Sequence, residues 1–69
     1  MFVNILTNAE TNRQKMYKKD NIITIMYNGK TCISIRYVNE YGKARSHSYT
    51  YPTIEFAKEQ YENIMAQLI

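Results

Sequence analysis

The chain has 69 residues, of which 45% are hydrophobic and 22% charged, and its formal net charge is +3. This length allows one domain with one small core, which argues against a substrate cavity enclosed by its own catalytic shell, and the low content of glycine and proline argues against disorder. We therefore expect a folded binding module, not an enzyme, with no small-molecule substrate and no cofactor.

The single cysteine, Cys32, bears on the compartment because it leaves no internal disulfide to form. No charged leader followed by an apolar run begins the chain, and no apolar stretch approaches the roughly 20 residues of a membrane span. We expect a cytoplasmic location in a bacterial host cell and no membrane partner. Seven tyrosines, no tryptophan and frequent Asn, Ile and Lys indicate an AT-rich coding sequence, which favours a low-GC bacterium or its phage.

The charge is distributed unevenly along the chain. Eight basic and two acidic residues lie between Arg13 and Tyr51, whereas three acidic residues and one basic residue follow from Pro52 onward. This polarity favours a polyanion partner on one side of the molecule, although a solvated basic surface is an equally common cause of the same pattern.

The first 20 residues combine a short apolar run with a polar segment. Phe2 to Leu6 is typical of a short strand, and Thr7 to Asp20 is polar without periodicity. Two interpretations of the polar segment stay open: a basic arm that contacts phosphate, or a mobile solvated loop. Its four cations are Arg13, Lys15, Lys18 and Lys19.

The middle of the chain predicts an antiparallel three-stranded meander. Ile22 to Tyr27, Thr31 to Val38 and Lys43 to Tyr51 are rich in residues that favour strands. Asn28-Gly29 predicts a two-residue hairpin turn between the first two strands, because both turn positions favour positive φ. Asn39 to Gly42 predicts a type I turn closed by a left-handed glycine.

The remaining residues predict one C-terminal helix. Thr53 is a candidate N-cap, Glu55 lies in the first turn where the helix dipole favours an anion, and Pro52 ends the preceding strand. The chain is therefore expected to be one α+β domain in which residues 53–69 form a helix packed on one face of the meander of residues 21–51. The predicted buried stripe of the helix is Ala57, Tyr61, Ile64, Met65 and Leu68.

The two turns fix a strand register, and the register assigns the faces of the sheet. A two-residue first turn places Met26 opposite Thr31, and the second turn places Arg36 opposite Ser46 and Ser34 opposite Ser48. The face expected beneath the helix collects Ile22, Met26, Ile33, Ile35, Tyr37, Tyr49 and Tyr51. The opposite face collects Ile23, Ile25, Tyr27, Lys30, Cys32, Ser34, Arg36, Ser46, Ser48 and Thr50, flanked at the turn by Lys43 and Arg45.

The segment "ISIRYVNEYGKARSHSYTYPTIEFA" resembles the closing part of the AP2-like three-stranded DNA-binding domains of phage and transposon integrases. Those domains have an alternating strand, a turn ending in Gly-Lys or Gly-Arg, a polar strand closing on an aromatic residue, then a threonine and an alanine four residues later. The resemblance covers roughly residues 21–69. The matching positions are Gly42, Lys43, Tyr51, Thr53 and Ala57.

This resemblance implies a protein that lays its sheet in the major groove of duplex DNA, with the helix packed behind. The groove admits a β-sheet, and arginine and hydroxyl side chains supply hydrogen-bond donors to bases and phosphates there. Duplex DNA or another polyanion is thus the expected partner. The expected nucleic-acid-binding residues are Lys30, Ser34, Arg36, Lys43, Arg45, Ser46 and Ser48.

A second hypothesis is a phage-encoded inhibitor of a host protein or defence complex, of the anti-CRISPR or another anti-defence type. Ile23, Ile25 and Tyr27 fall on the predicted open face, where an apolar patch favours contact with a protein or a protein–RNA complex. An acidic DNA mimic is disfavoured by the basic sheet. Neighbouring genes would separate this hypothesis from DNA binding.

No catalytic or metal site is predicted. His47 is expected to be a half-buried structural residue opposite Ile35, since no second ligand type clusters with it, and Cys32 is expected to be an unreactive strand residue. The carboxylates of the helix are the ordinary solvated side of an amphipathic helix. They are Glu55, Glu59 and Glu62.

Overall fold

Five strands and one helix make up the fold of residues 1–69, which a computed structural model describes in full. The chain forms a two-stranded hairpin, a three-stranded antiparallel sheet whose strands lie in chain order, and a C-terminal helix. This architecture confirms the predicted α+β class. The elements are β1 Phe2–Asn8, β2 Arg13–Lys18, a 3₁₀ turn at Lys19–Asn21, β3 Ile22–Tyr27, β4 Cys32–Val38, β5 Ala44–Thr50 and α1 Ile54–Leu68.

The N-terminal segment is a hairpin, so both interpretations of residues 7–20 as an arm or a loop were wrong. Val3 lies opposite Tyr17 and Ile5 opposite Lys15 in the β1–β2 register. Val3, Ile5 and Tyr17 are buried. The sequence of β2 does not predict a strand, because Tyr17 is its only buried residue. A single inward apolar side chain produces no alternation of apolar and polar residues.

The hairpin and α1 lie side by side over one face of the three-stranded sheet. On the β3 side the Tyr27 ring stacks on the Tyr61 ring of α1, with 5.0 Å between centroids. On the β5 side the Tyr17 hydroxyl reaches Tyr49, with 2.6 Å between oxygens. One core fills the space between these layers. Its buried residues are Val3, Ile5, Tyr17, Ile33, Ile35, Tyr51, Ala57 and Ile64.

The helix begins and packs as the sequence predicts. Thr53 is the N-cap, and its Oγ1 accepts a hydrogen bond of 3.1 Å from the Phe56 N–H. Ala57 and Ile64 are fully buried, and the predicted Tyr61, Met65 and Leu68 pack partly buried around them. No helix here combines the length and the apolar character needed to cross a membrane.

The β4–β5 register confirms the prediction. Arg36 pairs with Ser46 and Ser34 with Ser48, and the Asn39 N–H donates to the Lys43 carbonyl at 2.8 Å to close the turn. Gly42 has a φ of +76°, the left-handed conformation that favours glycine.

The register of β3 differs from the prediction. Ile25 lies opposite Ile35 and Tyr27 opposite Ile33, which is three residues out of step with the predicted pairing. An odd shift exchanges the two faces of a strand. Ile25 and Tyr27 therefore face the core, whereas Met26, expected in the core, is 64% exposed.

The register of β3 differs because the turn between β3 and β4 is a three-residue loop closed by Asn28. Its side-chain Oδ1 accepts hydrogen bonds from the Lys30 N–H at 2.8 Å and the Cys32 N–H at 3.1 Å. Only Gly29 of the Asn-Gly pair has positive φ, so the turn lacks the two left-handed residues of the predicted type. A bulge at Ile23 then returns Ile22 to the core side.

The corrected register predicts opposite costs for two neighbouring truncations. Ile25→Ala removes a side chain that packs against the core, so we expect the free energy of unfolding to fall by more than about 1 kcal/mol. Met26→Ala removes a solvent-facing side chain and should change it by less than about 0.5 kcal/mol. Urea titration of both variants measures the difference. A larger loss for Met26→Ala would restore the originally expected register.

Tyr51 is the core aromatic for which the largest stability effect is expected. The side chain is 3% exposed, and its hydroxyl donates a hydrogen bond of 2.7 Å to the Leu6 carbonyl. Tyr51→Ala should lower the free energy of unfolding by about 3 kcal/mol or more, as for other large aromatic truncations. Tyr51→Phe keeps the ring and should cost about 1 kcal/mol. Urea unfolding of the two variants tests this order, and equal costs would contradict it.

Candidate nucleic-acid interface

The open face is the side of the three-stranded sheet turned away from α1 and the hairpin. It carries five hydroxyl side chains and one cation, Arg36, and it has no carboxylate to repel a phosphate. By register, its ten positions are Thr24, Met26, Cys32, Ser34, Arg36, Val38, Ala44, Ser46, Ser48 and Thr50.

Two rows of side chains cross the open face from β3 to β5. One row is Met26, Ser34 and Ser48, in which the two serine Oγ atoms are 2.8 Å apart. The other row is Thr24, Arg36 and Ser46, all exposed. Opposite residues in an antiparallel sheet share a face and lie about 5 Å apart. The arginine is thus flanked by hydroxyls on both sides.

Sequence reasoning missed Thr24 and Met26 as members of this face. Both residues were assigned to the opposite face, because the predicted register of β3 assumed a two-residue turn. The signal that identifies them is the pairing of apolar residues that a three-residue loop allows, with Ile25 against Ile35 and Tyr27 against Ile33.

Lys30 lies at one end of the sheet, in the β3–β4 loop. Its N–H is held by the Asn28 side chain at 2.8 Å, and its carbonyl accepts a hydrogen bond of 3.0 Å from the Tyr27 hydroxyl. These two bonds fix the backbone of Lys30, which is an exposed residue. The loop therefore holds one exposed cation at this end of the sheet.

Lys43 and Arg45 lie on the other side of the sheet from Arg36. Arg45 is opposite Tyr37 in the β4–β5 register, and alternate residues of a strand point to opposite faces. The structure therefore brings together Ser34, Arg36, Ser46 and Ser48, but it does not join Lys43 and Arg45 to them.

Three of the four cations of residues 7–20 lie on the hairpin strand β2. The Lys15 ammonium lies 5.2 Å from the Tyr17 ring centroid and 5.8 Å from that of Tyr37, within range of cation–π attraction. Arg13 and Lys18 are exposed on the same strand, and Lys19 belongs to the 3₁₀ turn. Lys15 and Lys18 line an open groove of about 340 Å³ between the hairpin and the β4–β5 turn.

A hydrogen-bonded cluster joins β2 to the sheet beneath it. The Tyr17 hydroxyl is 2.6 Å from the Tyr49 hydroxyl and 3.3 Å from His47 Nδ1, and His47 Nε2 is 3.4 Å from the Tyr37 hydroxyl. Both imidazole nitrogens of His47 therefore face phenols. His47 is half-buried opposite Ile35, as its structural interpretation predicts.

Burial raises the pKa of two core tyrosines, Tyr17 and Tyr51. Burial raises the pKa of Tyr17 well above its ordinary value, and the hydrogen bond to Tyr49 raises it by a smaller amount. Burial raises the pKa of Tyr51 to about 12. Groups that hold a proton this firmly are not bases at neutral pH.

The predicted protein-contact residues are separated by the structure. Ile23, at the bulge, is 51% exposed, whereas Ile25 and Tyr27 pack partly buried against the core. The Phe2–Asn8 strand covers the core face and leaves the open face uncovered. Exposed apolar surface on β3 is therefore provided by Ile23 and Met26.

Comparison with protein-family models, with curated proteins and with solved structures found no match for this chain.

The raised pKa values predict instability at alkaline pH. Unfolded tyrosine ionises near pH 10.0, whereas Tyr51 ionises near pH 12 in the folded protein. Its contribution to stability is therefore complete below pH 10 and is lost as the pH rises to about 12. Urea unfolding across this range should show the decline. Tyr17→Phe removes one contributing phenol and should make the decline shallower; an unchanged slope would contradict the assignment to Tyr17.

Proposed function

We propose that the protein is a small non-enzymatic nucleic-acid-binding protein that binds duplex DNA through its open face. The observation that carries this proposal is Arg36, an exposed guanidinium at the centre of a face that carries five hydroxyl side chains and no carboxylate. Arginine presents paired donors that match both phosphate oxygens and the major-groove edge of guanine.

The size of the open face suits the major groove. Three strands span about 10 Å between the outer backbones, since neighbouring strands lie about 4.8 Å apart, and the groove is about 12 Å wide. With the sheet in the groove, Arg36 reaches base edges, and Ser46 and Ser48 donate to bases or phosphates. The resemblance to AP2-like domains supports this docking, because α1 lies behind the sheet. The N-terminal hairpin is an addition to that pattern.

The cations away from the open face have a different role in this proposal. Lys30, in the loop at one end of the sheet, is expected to contact a phosphate at the groove edge. Lys15, Lys43 and Arg45 lie on the far side and contribute through the net positive charge, which attracts the duplex over longer distances. Only Arg36 and Lys30 are then expected to contact DNA with a charged group.

A second candidate function is contact with a host protein or a protein–RNA complex. It is favoured by the exposure of Ile23 at 51% and Met26 at 64%, both on the edge strand β3. Large apolar side chains at a solvent-facing edge are typical of protein contacts. On this hypothesis the hydroxyl side chains of the open face form the polar rim of the interface.

Replacement of Arg36 tests the proposed DNA interface. Arg36→Gln should weaken binding to a mixed-sequence duplex and, if the guanidinium contacts a phosphate, reduce the slope of log affinity against log salt by about 0.9. Fluorescence anisotropy titration at several salt concentrations measures both. Lys58→Gln is the matched control, because it removes one exposed cation from α1, on the opposite side of the sheet.

Three results separate the possibilities. Greater loss with Arg36→Gln than with Lys58→Gln supports the open face as the interface. Equal losses would show that binding follows net charge alone and contradict the assignment. Absence of salt-dependent duplex binding, with Met26→Ser abolishing capture of a host protein, would replace the DNA proposal by the second candidate.

A further inference from the structure

The edges of the two sheets are protected very unequally. A strand edge has unpaired N–H and C=O groups that invite another strand, and proteins block such edges with covering groups, charges or bulges. The outer edge of β1 is covered by side chains. Gln67 of α1 accepts from the Asn4 N–H at 2.7 Å and donates to the Asn4 carbonyl at 2.9 Å, while Tyr51 donates to the Leu6 carbonyl.

Two further edges have recognised protection. The edge of β3 is interrupted by the bulge at Ile23, which twists a strand and disrupts pairing. The edge strand β2 carries three cations in six residues, and charged side chains discourage a partner strand. These cations are Arg13, Lys15 and Lys18.

The edge of β5 is the least protected of the four. Ala44–Thr50 contains no proline, its register against β4 is continuous, and Arg45 is its only charged residue. The Asn39–Lys43 and Tyr51–Thr31 backbone bonds show that the odd-numbered residues bond to β4. The even-numbered residues therefore direct their N–H and C=O groups outward. They are Ala44, Ser46, Ser48 and Thr50, all exposed.

The sequence of β5 is complementary to itself in an antiparallel pairing. His47 is the middle residue of the seven, so a two-fold axis there pairs the whole strand with its copy. Ser46 then lies opposite Ser48 of the second copy and Arg45 opposite Tyr49, where an arginine and an aromatic ring attract each other. The outward-facing residues pair with each other, which gives about eight backbone hydrogen bonds. An axis at Arg45 would instead oppose two like charges.

We propose that β5 pairs antiparallel with β5 of a second copy of this chain, about a two-fold axis at His47. The product is a homodimer with one continuous six-stranded sheet. Its two open faces join, so that the row Ser34 and Ser48 of one copy continues into Ser46 and Arg36 of the other. This inference rests on the edge alone and does not depend on DNA binding.

Ser48→Pro tests the pairing directly. The substitution removes the outward N–H of Ser48, and proline is tolerated on an edge strand when its nitrogen faces solvent. Light scattering after gel filtration should show a wild-type dimer and a dissociation constant raised about 100-fold in Ser48→Pro, since each dimer loses two backbone hydrogen bonds. Ser48→Ala loses the same hydroxyl but keeps the N–H, and it should dimerise like the wild type.

Amide hydrogen exchange of the wild-type protein gives a second measurement that needs no variant. The N–H groups of Ser46 and Ser48 have no partner in β4, so they should exchange rapidly in dilute protein and slow markedly as the concentration rises. This result decides the matter if Ser48→Pro does not fold, which circular dichroism detects. A protein that stays monomeric at high concentration, or a Ser48→Pro dimer as tight as the wild type, would overturn the proposal.

Discussion

The burial of β4 against both other layers is the interaction on which the rest of the structure depends. Ile33 and Ile35, in the central strand, are completely buried, and every other core residue packs toward the face they occupy. A 69-residue chain supplies enough apolar surface to cover one face of a sheet but not two. The second face must therefore meet solvent, and its polar side chains follow from that constraint before any function is considered.

Tyrosine side chains cover the margin of this small core. In this protein α1 packs on the β3 side of the sheet, and the hairpin covers the β5 side with Tyr17. Large rings bury much area from a single position, and their hydroxyls need partners when they are desolvated. Tyr17, Tyr37 and Tyr49 satisfy one another and His47. Six of the seven tyrosines, all except the exposed Tyr41, lie in or against the core, so their number does not require a role in stacking on bases.

The parts of the fold that the sequence predicts are those with two independent signals. The β4–β5 register has both a turn with Gly42 and a clear alternation of Ile33 and Ile35 with polar residues. The β3 register had only the turn, because IITIMY is apolar almost throughout, and the Asn28 side chain selected a longer loop. The open face was therefore predicted correctly for Ser34, Arg36, Ser46 and Ser48, but wrongly on β3 and for Arg45 of β5, which lies on the other side of the sheet. The sequence of β2 gave no strand signal, because Tyr17 is the only buried residue among its cations and other exposed residues.

Ser46 and Ser48 belong to two surfaces at once, since their side chains lie on the open face and their backbone groups lie on the free edge of β5. The proposed DNA binding and the proposed strand pairing would make conflicting demands on these two positions. A lysine at either position would strengthen attraction to a polyanion, but charged side chains on an edge strand repel a partner strand. Serine donates hydrogen bonds without carrying charge and is small enough for a second strand to approach. The low charge of the open face, with Arg36 placed on the central strand away from the edge, is consistent with both demands.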